Sequence, residues 1–176
     1  LSRSSAASDV YKRQVIVVDN RFISERVNQI RNWNIGYFHG DILDKDFVKK
    51  HFKDADIIHH LAGITDVPRT KSQSDLEKDR QIKIVAEKGT QNILDIINDK
   101  CKIIFPSTHV VYEGINKVKT DIKEEENTQP VLSYSSSKAF NEKQLKESGK
   151  NYVILRLGSV YAVSYTHLRA HETCTN

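Results

Sequence analysis

Tyr134 and Lys138 stand four residues apart in the run Tyr134-Ser135-Ser136-Ser137-Lys138. Upstream, the apolar stretch Ile103-Ile104-Phe105-Pro106-Ser107 ends on a second hydroxyl, Thr108. On a helix, positions i and i+4 share a face, so an ammonium can sit beside a phenol and favour its phenolate, while the threonine approaches from a separate element. Such a set can take a proton from an alcohol as hydride leaves its carbon. A free phenol titrates near ~10, and bringing it near ~7 takes roughly 4 kcal/mol of differential stabilisation of the anion. Lys138 and the positive ring of an oxidised nicotinamide are the available suppliers. Taken alone, a tyrosine and a lysine at this spacing are also an ordinary exposed helix pair worth a few tenths of a kcal/mol, so the surrounding elements decide the reading.

Those elements alternate. Val15-Ile16-Val17-Val18 is a continuous apolar stretch of strand length ending in Asp19, and Ile23, Val27 and Ile30 follow at helical spacing. Ile35 to His39 predicts a strand and Asp46 to Phe52 a helix; Ile57 to Leu61 predicts another strand, leading into Ala62-Gly63. A long helix is expected through Ile82, Val85, Gly89, Ile93 and Ile97, opened by Ser74 with Glu77 in capping-box spacing. Strand Lys102 to Phe105, the helix bearing Tyr134, and strand Tyr152 to Leu157 complete the series. Strands and helices in alternation predict a parallel sheet covered on both faces.

These residues resemble the extended short-chain dehydrogenase/reductases, and within them the NAD-dependent sugar-nucleotide epimerase/dehydratase group. The resemblance runs from about Val15 to Ala162. It implies that Asp19, closing Val17-Val18-Asp19-Asn20, holds the adenosine ribose hydroxyls and favours NAD over NADP, with Arg21 as a nearby complication. Asn20, Asp41 and Ile42 are then expected beside the adenine, and Leu61, Ala62 and Gly63 along the cofactor. Ser107-Thr108-His109-Val110-Val111-Tyr112 matches the strand end that carries the third catalytic member, which selects Thr108. By the same resemblance, Tyr134 is the acid/base, Lys138 holds the nicotinamide ribose, and Ser159 stands where an asparagine often meets substrate.

The chain also departs from that family's pattern. Ala86 replaces an asparagine three residues before Gly89, and Glu113 intervenes between Tyr112 and Gly114. His109 and Val110 stand where dehydratase members carry an Asp-Glu pair, which favours epimerisation over elimination of water. The strand and glycine-rich turn that open a dinucleotide-binding fold have no counterpart upstream of Val15. Residues 1–14 and 163–176 resemble translated adapter or linker sequence and are set aside. The expectation is therefore an α/β fold: an incomplete Rossmann-type doubly wound parallel sheet over residues 15–162, a partial NAD-binding domain. Its first strand and its C-terminal substrate lobe are expected to be missing, so that Val15 to Asp19 should lie either directly beside Ile57 to Leu61 or across a gap from it.

Other readings are set aside on physical grounds. His167 and His171 lie four apart beside Glu172, a zinc-like spacing, but they fall in the adapter-like tail. His59 and His60 are neighbours on a strand and point to opposite faces, so they cannot chelate together; no metal site is expected. Cys101 and Cys174 suggest no disulfide framework. Of the net charge of +4, Arg3, Lys12 and Arg13 against Asp9 contribute +2, and no basic stripe interleaved with aromatics points to nucleic acid. No apolar run approaches the ~20 residues that cross a bilayer. The polar stretch Lys117 to Glu126 reads as a solvated loop or a substrate-facing one. The family resemblance implies a cytoplasmic, homodimeric parent acting on a nucleotide sugar; a reductase that releases the ketone, or a non-catalytic dinucleotide-binding protein, are the alternatives.

Overall fold

A computed structural model describes residues 14–65, 75–115 and 119–158. The predicted alternation is present in order. Strand β1 (Ile16–Asp19) leads to helix α1 (Ser24–Asn32), β2 (Gly36–His39) to α2 (Lys45–Phe52), and β3 (Ile57–His59) to α3 (Leu76–Ile84). The long helix is not uniform: α3 passes through a wider π-turn at Val85–Gly89 before α4 (Thr90–Ile96). Strand β4 (Lys102–Thr108) runs into a 3₁₀ turn at His109–Tyr112, and α5 (Ser133–Glu147) precedes β5 (Asn151–Leu157).

All strand pairings are parallel, but they form two sheets, β2 beside β1 and β3-β4-β5. β1 and β3, expected either side by side or across a gap, share no ladder among the described residues. The arrangement is that of a partial Rossmann-like fold. Within each sheet the order, β2-β1 and β3-β4-β5, is a segment of the doubly wound order. Ile57 on β3 is 50% exposed, and the Leu61 beyond it is 69% exposed, where a central parallel strand would be covered.

The helix layer ties the two sheets together. Val48 of α2 packs with Ile93, Leu94 and Ile97 of the second half, over Ile103 and Phe105 of β4 and Leu145 of α5. Each such side chain contributes roughly 1.5–3 kcal/mol on burial. Gly89 is where the layer closes up: a Cβ there would lie 2.3 Å from Ile42 Cδ1. Asn92 Nδ2 donates to the Ile42 carbonyl at 3.0 Å, and Lys45 pairs with Asp95 at 2.9 Å.

Helix ends are capped by aspartates. Asp44 Oδ1 accepts from Asp46 N and Phe47 N, both at 3.0 Å, and opens α2. The expected box of Ser74 and Glu77 is not what opens α3. Asp75 does so, accepting from Glu77 N at 3.0 Å, and Ser74 lies outside the described residues. A carboxylate one residue later meets the free amides of the first turn and complements the helix dipole as well. β3 ends at His59, two residues before the expected limit.

Candidate active site

Parallel strands put their carboxyl ends on one edge of a sheet, and the candidate residues stand there. Asp19 closes β1, with Oδ1 accepting from Arg21 N at 2.8 Å. Asn20 Nδ2 donates to Asp41 Oδ2 at 3.2 Å, and Asp41 Oδ1 takes Leu43 N at 2.9 Å, so the two loops after β1 and β2 hold each other. Ile42 is 7% exposed and belongs to the core against Gly89, which leaves its backbone rather than its side chain for any ligand. Leu61, Ala62 and Gly63 are exposed beyond β3, and a Cβ on Gly63 would meet nothing within 4 Å.

Thr108 is the last residue of β4, 8% exposed, and its Oγ1 accepts from Val110 N at 3.2 Å. It thereby caps the 3₁₀ turn. Tyr134 and Lys138 lie in the first two turns of α5, which packs against β4 and that turn. Lys138 Nζ donates to the Pro106 carbonyl at 2.8 Å, two residues before Thr108. The same nitrogen lies 4.5 Å from the Phe105 ring centroid and 5.9 Å from that of Tyr134. Lysine and tyrosine thus meet at the end of the strand that carries the threonine. Ser159 lies outside the described residues, as do residues 1–13, His167, His171 and Cys174.

The electrostatics differ from the expectation in one respect. Burial lowers the Lys138 ammonium to about 8, and burial pushes the Tyr134 phenol above its ordinary range. Desolvation disfavours the charged form of each. The chain's own lysine therefore does not by itself acidify the tyrosine, because it is turned to the Pro106 carbonyl and the Phe105 ring.

Several contributing residues were not singled out by the sequence reading. His60 is 4% exposed while His59 is open, as strand alternation requires; its Nε2 shares a hydrogen bond with Thr90 Oγ1 at 2.9 Å. Burial first, then Lys138, lowers His60 to about 4. The asparagine amide missing at Ala86 comes from elsewhere: Asn141 Nδ2 donates to the Ala86 carbonyl at 2.9 Å inside the π-turn and to Thr90 Oγ1 at 3.0 Å. Glu142, one turn beyond Lys138 on the same stripe, accepts from Ser107 Oγ at 2.6 Å and from Arg156 Nε at 3.0 Å and NH2 at 2.6 Å. Burial opposes its ionisation, but the Arg156 and Ser107 bonds hold its carboxyl below the usual range. Arg156 also donates to the Tyr112 hydroxyl and the Glu124 carbonyl. The i, i+4, i+8 spacing of Tyr134, Lys138 and Glu142 was the signal that could have found it.

The loop before α5 is exposed from Lys119 to Glu125. Lys119 pairs with Glu126 at 2.5 Å beside a polar hollow of about 450 Å³ lined by Ile115, Asn127 and Gln129, while residues 116–118 lie outside the described residues. His109 Nδ1 is engaged with the Leu157 carbonyl at 3.1 Å. Among the described residues no three His, Cys, Asp or Glu side chains cluster as metal ligands, and no helix is long and apolar enough to cross a membrane.

Comparison with known proteins bears on the family and the fold. The sequence profile of the 3-beta hydroxysteroid dehydrogenase/isomerase family matches residues 7–164. Among solved structures, the Bordetella bronchiseptica enzyme WbmH, in complex with NAD⁺, superposes with a TM-score of 0.69 at 18% identity, over 96% of this chain and 58% of that one. A UDP-glucose 4-epimerase from Thermotoga maritima, with UDP-glucose, gives 0.69 at 22% identity over 90% and 52%. The UDP-glucose 4-epimerase of Bifidobacterium longum, in complex with NAD⁺ and UDP, gives 0.65 at 25% identity over 83% and 46%. The chain spans about half the length of the solved proteins it matches.

Proposed function

From a chain that belongs to the 3-beta hydroxysteroid dehydrogenase/isomerase family, we propose an NAD-dependent enzyme of sugar nucleotides, an epimerase working by reversible oxidation of a sugar hydroxyl. The observation that carries this reading is the packing of the Tyr134 and Lys138 face of α5 onto the end of β4, with Lys138 Nζ 2.8 Å from the Pro106 carbonyl beside Thr108.

The residues at the strand ends fit a dinucleotide. An exposed carboxylate ending a parallel strand, Asp19, can accept both hydroxyls of an adenosine ribose and would repel a 2′-phosphate. The Asn20 and Asp41 pair borders the same edge, where the Ile42 backbone can frame an adenine. The open backbone from Leu61 to Gly63 leaves room for a ligand to pass closely. When bound, the oxidised nicotinamide accepts the hydride and adds a positive charge near the phenol. Tyr134 takes the proton of the sugar hydroxyl, Thr108 hydrogen-bonds that oxygen, and Lys138 turns from Pro106 toward the nicotinamide ribose and the phenol. Burial holds the Tyr134 proton tightly in the chain itself, so a positive charge brought beside the phenol would have to offset that burial. His109 and Val110 at the site of a dehydratase's acidic pair support epimerisation over elimination.

A second reading is a dehydrogenase that releases the ketone, favoured by the activity in the family's own description. The two differ in their balance of cofactor. Incubating the full-length protein with UDP-sugars and NAD should interconvert epimers with no net absorbance at 340 nm, whereas steady accumulation of reduced cofactor would select the dehydrogenase. In either case Tyr134→Phe should lower turnover by at least ~10²-fold, the usual cost of removing a general acid/base. Near-normal turnover in that variant would remove Tyr134 from the mechanism.

A further inference from the structure

We propose that Glu113 is a positioning residue that sets where Tyr134 stands relative to Thr108, by binding the segment that follows Thr108 to the first turn of α5. The inference rests on the catalytic reading above for its meaning, but its geometry stands apart from it. Glu113 follows the 3₁₀ turn that Thr108 caps. Its Oε1 accepts from Val131 N and Leu132 N, both at 2.7 Å, and from Ser135 Oγ. These donors bracket Tyr134 in the sequence.

The helix start has no cap of its own: Leu132 occupies the N-cap position of α5 with extended backbone and no side-chain hydrogen bond. A negative charge at a helix start is favourable, and the Glu113 carboxylate holds the Val131 and Leu132 amides just ahead of the first turn. Backbone bonds reinforce it on both sides: Gln129 N donates to the Val111 carbonyl and Gly114 N to the Gln129 carbonyl, each at 2.8 Å. Ser135 is fully buried, and its hydroxyl also reaches the Leu132 carbonyl at 2.9 Å, so the Glu113 contact ties one side chain to both the segment following Thr108 and the helix start.

The buried stripe of α5 makes the contact decisive for position. It is mostly polar, comprising Ser135, Ser137, Asn141 and Glu142, with Leu145 as its apolar member. Apolar faces tolerate small slides, whereas a buried hydrogen bond is made or lost over a fraction of an ångström. Glu142 and Asn141 hold the middle of the helix, and Glu113 holds the end that carries Tyr134. Misplacing a reacting group by about 1 Å can cost on the order of 10²-fold in rate.

The test compares Glu113→Ala, Glu113→Gln, Ser135→Ala and, as a control of stability alone, Leu145→Ala in the full-length protein labelled with ¹³Cζ-tyrosine. The Tyr134 resonance is assigned with Tyr134→Phe. The Tyr134 titration in Glu113→Ala should fall toward that of a free phenol, Glu113→Gln should restore most of the native value through its remaining acceptor oxygen, and Leu145→Ala should leave it in place. Turnover in Glu113→Ala should fall by about 10- to 10²-fold with KM for NAD changed less than about twofold. Should Glu113→Ala not fold, Ser135→Ala must shift the Tyr134 resonance in the same direction. An unchanged Tyr134 titration in the folded variant, or an equal change in Leu145→Ala, overturns the proposal. A wild-type protein that neither interconverts epimers nor accumulates reduced NAD would instead defeat the catalytic reading, while the titration still decides Glu113.

Discussion

Lys138 illustrates how a functional side chain works against the stability of the chain that holds it. Its ammonium is lowered to about 8 by burial, against an unfolded value near ~10.4. Between those two values the unfolded chain binds more protons than the native one, so stability should rise as pH increases from about 8 to about 10.4; below 8 the full cost of burying the charge is present. Lys138→Met should therefore raise stability at pH 7 by on the order of 1 kcal/mol, after allowing for partial solvent access, and should flatten that alkaline rise. Denaturant melts at pH 7 and pH 10 measure both effects. The same substitution should abolish turnover, since no ammonium then remains beside Tyr134. Asp19 makes a second test at this scale. NAD should bind more tightly than NADP to the full-length protein, because a carboxylate accepts from ribose hydroxyls and repels a phosphate. Titration of both cofactors decides it, and Arg21, whose backbone amide already holds Asp19 Oδ1 at 2.8 Å, is the residue to blame if NADP wins.

Among the elements, the strap from Val111 to Leu132 decides how precisely the helix start meets the strand end. Gly114 is where its two segments come closest: a Cβ there would lie 2.5 Å from the Gln129 carbonyl oxygen. That atom belongs to the backbone and cannot rotate away. Gly114→Ala should thus force the segments apart, costing roughly 1–3 kcal/mol as overpacking does, and should lower turnover more than an equally destabilising change in α1. Thermal melts beside rate measurements separate the two effects. The π-turn at Val85–Gly89 has the opposite character. It widens the helix where Asn141 reaches the Ala86 carbonyl and where Gly89 receives Ile42, so an irregular turn is held by satisfied contacts on both sides.

Over the whole molecule, the consequential feature is the division of the sheet. β1 with β2 and β3 with β4 and β5 are joined through the helix layer and not through a ladder between β1 and β3 among the described residues. Strand edges left without a ladder invite pairing with other chains. With no ladder between β1 and β3 among the described residues, the purified 176-residue chain should unfold with low cooperativity, self-associate, and bind NAD weakly. Calorimetry, light scattering and a cofactor titration measure these in turn. A sharp thermal transition with micromolar NAD binding would show that the helix layer alone suffices.

Local pattern carried much of this protein's description. Alternating apolar runs and helical spacing foretold the order of strands and α-helices among the described residues, though not the π-turn at Val85–Gly89 or the 3₁₀ turn at His109–Tyr112, because burial on a parallel sheet imposes period and length directly on the chain. Tyr134, Lys138 and Thr108 were legible as one set because their spacing is a property of one helix and one strand end. Tertiary structure decided what no spacing encodes. The start of α3 moved to Asp75 because a nearby carboxylate outcompeted the expected serine box. Ile42 went to the core because Gly89 opens a place for it. Lys138 turned to Pro106, and the Tyr134 proton is held by burial, because desolvation depends on everything packed around a group rather than on its neighbours in sequence. Glu113 reads in sequence as an interruption of a familiar pattern. It holds the two amides just ahead of a helix that begins 20 residues later, a pairing that tertiary structure alone brings about.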